Sequence, residues 1–166
     1  ELGYLIDEDS VEAGLSKVCW PGRFEVLKTS GPTLIVDGAH NPYSMERLVD
    51  TVNDHMDNTK VIVVFGATGG HDLGNMLEPL KLMDPVLIPV SSRHPKSIES
   101  EIVGTASSNC DIVTTKAFGS VSEGLDHAFN LAGQNDLILG TGSLSVAAEV
   151  SEVIKEIPPE IYPNLP

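Results

Sequence analysis

The 166-residue chain predicts an α/β protein built on a doubly wound, mostly parallel sheet of about six strands. Three observations predict it. Short apolar segments alternate with amphipathic segments of helical period, the pattern of strand–helix–strand units. One apolar run, Val61 to Phe65, is continuous, as a strand buried on both faces requires. Polar, glycine-rich turns follow the ends of the apolar runs, so they gather on one edge of the sheet.

The elements follow in order. Residues 1–19 form a separate piece, with a turn or two of helix around Ser10 to Val18, expected to be the remnant of a preceding domain or linker. Regular structure begins after Trp20-Pro21-Gly22 and runs through residues 20–166. Phe24 to Lys28 and Thr33 to Val36 are short strands joined by the turn signal Ser30-Gly31-Pro32, the first of them a candidate antiparallel edge. Asn41 caps a helix with Pro42 at its first position, where a missing N–H costs nothing. Met45, Leu48, Val49, Val52 and Met56 mark its apolar face.

After Val61 to Phe65, a helix carries Leu73, Met76, Leu77 and Leu80, and Val86 to Val90 is the next strand. Ile98 to Ala106 reads as a helix, Asp111 to Thr115 as a strand, and Val121 to Ala132 as a helix. The last unit is the strand Leu137 to Leu139 and a long helix with Leu144, Ala147, Val150, Ile154 and Ile157 on one face, ended by Pro158-Pro159.

Composition narrows the class of function. A hydrophobic fraction of 41% with 20% charged residues is that of a folded globular protein. The formal net charge of −14 argues against a nucleic-acid or anionic-membrane partner, although a local positive site for a small anion stays open. No stretch reaches the roughly 20 apolar residues that span a bilayer. The two cysteines, Cys19 and Cys110, make no disulfide framework, so a cytoplasmic setting is expected.

The candidate site residues lie at the strand ends. Asp37 follows an apolar strand, where a carboxylate accepts bonds from ribose hydroxyls or caps a turn equally well. His40 stands just before a helix start, as a donor to phosphate or carboxylate or as a turn residue bonded to backbone. Gly66 to Asp72, with His71, is a glycine-rich turn receptive to anions, but no Gly-Lys-Ser or Gly-Lys-Thr loop occurs anywhere. Ser143, after Gly140-Thr141-Gly142, is either a site residue or a helix cap. Arg23 reads as a phosphate contact or an exposed ion pair. His94 is a candidate only by its edge, whereas His55 and His127 on helices read as structural or solvated. No metal-ligand spacing and no Gly-x-Ser-x-Gly elbow is present.

Two segments in this order and spacing, Trp20-Pro21-Gly22-Arg23-Phe24-Glu25-Val26-Leu27 and Asp37-Gly38-Ala39-His40-Asn41-Pro42, closely resemble the folylpolyglutamate synthase / dihydrofolate synthase family of the Mur ligase superfamily. The similarity extends after Ser10 to the Gly142-Ser143-Leu144 segment. The resemblance implies the Rossmann-like C-terminal domain of a Mur ligase. It also implies an ATP-dependent ligase that adds L-glutamate to a folate, to dihydropteroate or to both, through an acyl phosphate. It assigns Arg23 to the ATP phosphates, Asp37 to the ribose, and His40 and Asn41 to the same pocket, with Ser143 and His71 toward the amino acid. His71-Asp72 departs from the Lys-Asp frequent in the family, which makes a cationic role there depend on pH. The family's ATPase domain, with its phosphate loop and Mg2+ ligands, is expected in a missing amino-terminal part, so the chain alone is expected to be inactive. A peptidoglycan-type Mur ligase and a non-catalytic nucleotide- or phosphate-binding module are the competing readings. Ser92-Arg93-His94-Pro95 stands where diaminopimelate-adding enzymes resemble one another in Asp-Asn-Pro-Arg, a mismatch that counts against the first of these.

Overall fold

The computed structural model describes residues 7–56, 60–70 and 72–162. Helix α1, Glu8–Leu15, is capped by the Asp7 carboxylate and buries none of its residues. Strand β1, Glu25–Lys28, runs antiparallel to β2, Thr33–Val36, and Gly31 takes the left-handed φ of +81° that the turn between them needs. The chain then alternates through α2 (Pro42–His55), β3 (Val61–Phe65), α3 (Leu73–Leu77) and β4 (Val86–Pro89). It finishes with α4 (Ser100–Asn109), β5 (Val113–Thr114), α5 (Val121–Leu131), β6 (Leu137–Thr141) and α6 (Leu144–Lys155).

The sheet has six strands in the order β1-β2-β6-β3-β4-β5, parallel except for β1. This is the doubly wound class expected, with its antiparallel edge. The last strand, β6, enters between β2 and β3, and β3 and β6 are buried at every residue. Alternation along each strand divides the core in two. Ile35, Val63, Phe65, Leu87 and Leu139 face α2, α3 and α4, whereas Leu34, Ile62, Val64, Ile88 and Ile138 face α5 and α6. Each fully buried Leu or Ile contributes about 1.5–3 kcal/mol relative to exposure, so these two layers dominate the folding free energy.

Five local expectations are corrected. The helix through Leu73 and Leu80 is five α-helical residues followed by a 3-10 helix, Glu78–Met83, because Pro79 has no N–H to continue the α pattern. Strand β5 is shorter than Asp111 to Thr115: Asp111 sits at φ +58° and Ile112 still donates to the Ser107 carbonyl, so pairing starts at Val113. Helix α4 begins at Ser100, since Ile98 donates instead to the Ala67 carbonyl. In α6 the buried face is Val146, Ala147, Glu149 and Val150, while Leu144 and Ile157 are half exposed. That helix ends because Glu156 turns left-handed, before either proline.

Candidate functional site

Parallel strands carry their loops to a common edge, and here β2, β6, β3 and β4 bring Asp37–Asn41, Gly142–Ser143, Gly66–Gly70 and Ser91–Pro95 together there. Because β1 is antiparallel, its first residue lies opposite Val36, so Arg23 arrives at the same edge from the other direction. Sequence position alone did not supply that second approach.

The turn around Asp37 is held by backbone donors. One Asp37 carboxylate oxygen accepts the Phe24 N–H at 2.8 Å and the other the Ala39 N–H at 2.8 Å. The Gly38 N–H donates to the Gly22 carbonyl at 2.8 Å, and the Glu25 carboxylate accepts the Gly22 N–H at 2.8 Å. These bonds hold Phe24 at φ +43°, a conformation rare for a bulky residue. Arg23, exposed, is thereby laid across Gly38: a Cβ there would meet Arg23 Nη1 at 3.4 Å and Leu144 Cδ1 at 3.0 Å. Glycine at 38 is what permits this approach. A carboxylate has about four lone-pair sites, so Asp37 keeps acceptor capacity beyond its turn bonds.

His40 Nδ1 donates to the Gly38 carbonyl at 2.8 Å, which sets the tautomer and orients the ring. Asn41 forms a reciprocal capping box with Ser44: its side-chain oxygen accepts the Ser44 N–H at 2.9 Å, and the Ser44 hydroxyl accepts the Asn41 N–H at 3.2 Å. Arg23, Asp37, His40 and Asn41 therefore form one connected turn. A depression of about 270 Å³ between Phe24, Asp37, Tyr43 and Arg47 borders it.

The other candidates are placed differently. Ser143 is 3% exposed, and its hydroxyl accepts the Val146 N–H at 3.2 Å as the cap of α6. His71 lies outside the described residues. His94 packs edge-on against Tyr162 with ring centroids 5.4 Å apart. His127 lies against Phe118, and His55 Nδ1 bonds the Thr51 carbonyl within its own helix. A larger surface groove of about 700 Å³ runs between α2 and the 3-10 helix, but it contains none of the candidates. Among the described residues no three His, Cys, Asp or Glu side chains are grouped to hold a metal ion, and no helix is long and apolar enough to cross a membrane.

Sequence reasoning missed a carboxylate cluster beside the β4 loop. Glu149, 5% exposed, accepts the Arg93 N–H at 2.7 Å, and the Arg93 guanidinium bonds Glu152. Burial pushes the Glu149 carboxyl above its ordinary range, against the opposing pull of Arg93. The available signal was a lone acid in the apolar stretch Val146-Ala147-Ala148-Glu149-Val150.

Comparison with known proteins matches residues 22–144 to the family described as Mur ligase, glutamate ligase domain. A probable bifunctional folylpolyglutamate synthase/dihydropteroate synthase of Haloferax volcanii is 34% identical over 87% of the chain, which spans 17% of that relative. The dihydrofolate synthase/folylpolyglutamate synthase of Bacillus subtilis is 27% identical over 90% of the chain and 34% of its own length. Among solved structures, Escherichia coli FolC in complex with DHPP and ADP superposes with a TM-score of 0.83 at 27% identity, covering 93% of this chain and 36% of that one.

Proposed function

We propose, because this chain belongs to the Mur ligase, glutamate ligase domain family, that it forms the amino-acid-adding wall of an ATP-dependent, amide-forming active site. In this reading residues 20–166 are the ligase-type C-terminal domain, residues 1–19 belong to the preceding part, and the enzyme is cytoplasmic. The substrates are L-glutamate and a folate, dihydropteroate or both. The observation that carries the reading is the connected turn of Asp37 and His40 on the carboxyl edge, with the Arg23 guanidinium lying over its Gly38.

The donors of that turn suit a nucleoside triphosphate. Once bound, ATP supplies the phosphoryl group that activates the acceptor carboxylate. Arg23 binds phosphate oxygens with a rigid, always charged fork. Asp37 accepts from ribose hydroxyls with the capacity its turn bonds leave, and His40 and Asn41 line the same side. Ser143 and His71 are the proposed contacts for the incoming amino acid. The Mg2+ ligands and the glycine-lysine phosphate loop belong to a partner ATPase domain, and closing the two domains excludes competing water.

A peptidoglycan-type reading shares the reaction. The UDP-N-acetylmuramyl-tripeptide synthetase of Lactococcus lactis matches 76% of the chain, against 87% for the haloarchaeal folate relative, and that wider match favours the folate substrates. The test joins this chain to such an ATPase domain and measures ATP-dependent addition of glutamate to a folate and to dihydropteroate. Arg23→Ala is expected to lower the rate about a hundredfold or more while leaving the fold intact. Wild-type rates in both Arg23→Ala and Asp37→Asn would sink the site assignment. Micromolar ATP binding by the isolated chain, without ligation, would favour a non-catalytic binding module.

A further inference from the structure

We infer that Glu149 is a positioning residue for the proposed ligation: it anchors the loop Ser91–Ser97, and through that loop the glycine turn Thr68–Gly70, to helix α6. Hydrogen bonds and the short loop backbone between them link the two sides of the sheet edge. Glu149 accepts the Arg93 N–H at 2.7 Å across 56 residues of sequence. Within the loop, the Ser92 N–H donates to the Ser97 hydroxyl at 2.9 Å and the Ser97 N–H to the His94 carbonyl at 2.8 Å. On the far side the Lys96 carbonyl accepts the Gly69 N–H at 2.8 Å, and Thr68 pairs with Ser97 in an isolated β-bridge.

A carboxylate is a poor choice for stability at this position. Glu149 is 5% exposed, and an apolar side chain in its place would bury area without desolvating a charge. What it supplies is direction, since an acceptor in a rigid helix selects one placement of the loop against α6. The neighbouring glycine turn needs such selection most, because Gly70 at φ +100° has wide backbone freedom. Arg93 adds a second tie by reaching Glu152, whose other oxygen accepts the Glu160 N–H at 2.9 Å.

The inference rests on the ligase reading for its consequence in catalysis, and two measurements separate them. The first is amide hydrogen exchange on this chain. Glu149→Ala should speed exchange at Arg93 and Gly69 about tenfold, with core amides such as Val63 and Leu139 unchanged. Glu149→Gln, which keeps the acceptor oxygen, should restore protection, and Arg93→Ala, which keeps the N–H, should retain it. Unchanged exchange at Arg93 and Gly69, or uniform acceleration through the core, overturns the anchoring. The second measurement is ligation by the joined enzyme, where Glu149→Ala should lower kcat about tenfold with little change in KM and Glu149→Gln should recover it. Local loosening with unchanged kcat, in an enzyme that Arg23→Ala inactivates, overturns the positioning role and leaves the ligase reading standing. A wild-type protein that does not ligate overturns that reading instead, while exchange still decides the anchoring.

Discussion

At the β2 end of the sheet's carboxyl edge, Asp37 spends its charge on two N–H groups, one of them only two residues away. At the β4 end, Glu149 accepts an N–H from a loop 56 residues distant and is buried from solvent. Both carboxylates hold a loop that carries an arginine. They differ in what the charge costs. Asp37 is half-buried and keeps acceptor capacity, so its turn can serve a ligand and itself. Glu149 is enclosed by α6 and the β4 loop, so its charge is opposed by burial and by the neighbouring Glu152 carboxylate, and answered by Arg93. The first arrangement is a local turn with room for chemistry, and the second is a long-range tie.

The comparison can be broken most strongly at Asp37. Replacing it with alanine removes both acceptors and releases Phe24 from its left-handed conformation. The expected loss is about 2 kcal/mol, read as a fall in denaturation midpoint, with Asp37→Asn losing about half of that. An unchanged midpoint in Asp37→Ala would mean that the turn is set without its carboxylate.

A pH series sharpens the comparison through two glutamates of opposite sign. Burial raises the Glu25 carboxyl, but its bonds from Lys155 and the Gly22 N–H, together with the Lys155 charge, outweigh that and hold it below its ordinary value of 4.5. Glu25 therefore stabilises the fold above the ordinary carboxylate range, and that contribution is lost as pH falls through the depressed native value. Glu149 is raised, so the native state binds its proton first; its favourable contribution is complete below 4.5 and disappears as pH rises through the raised native value. Chemical denaturation between mildly acid and neutral pH should show Glu149→Gln at least as stable as wild type at neutral pH, with the difference closing on acidification. Glu25→Gln should be less stable at neutral pH, with its deficit closing only when the series is carried below 4.5. Parallel curves for the two variants would contradict this assignment.

The smallest effect lies between the two regions. Thr141, at the end of β6, is 0% exposed, and its hydroxyl has no hydrogen-bond partner among the described residues. Thr141→Val keeps the shape and removes the orphan polar atom. It should be neutral or stabilise by up to about 1 kcal/mol in thermal unfolding. A clear destabilisation would mean that the hydroxyl holds a bound water and belongs to the site.

The sequence by itself determined the parts whose causes are local. Apolar runs bounded by Gly31-Pro32 and Gly66 marked strands, the Asn41-Pro42 pair marked a helix start, and Ser143 followed by an apolar face marked another. Each of these depends on side chains within about four residues and on backbone preference, so it can be read along the chain. The edge on which Asp37, His40 and Ser143 gather followed from the same alternation.

Only the tertiary structure decided that β6 enters between β2 and β3, that Leu144 packs over Gly22 and Gly38, and that Glu149 meets Arg93. It also decided the left-handed turn at Phe24, which local preference disfavours and bonds to Asp37 and its neighbours impose. Strand order and helix facing minimise the free energy of the whole double-layered core, where residues far apart in sequence compete for the same space. No local pattern carries that competition, and it is settled only when all six strands and both helical layers pack at once.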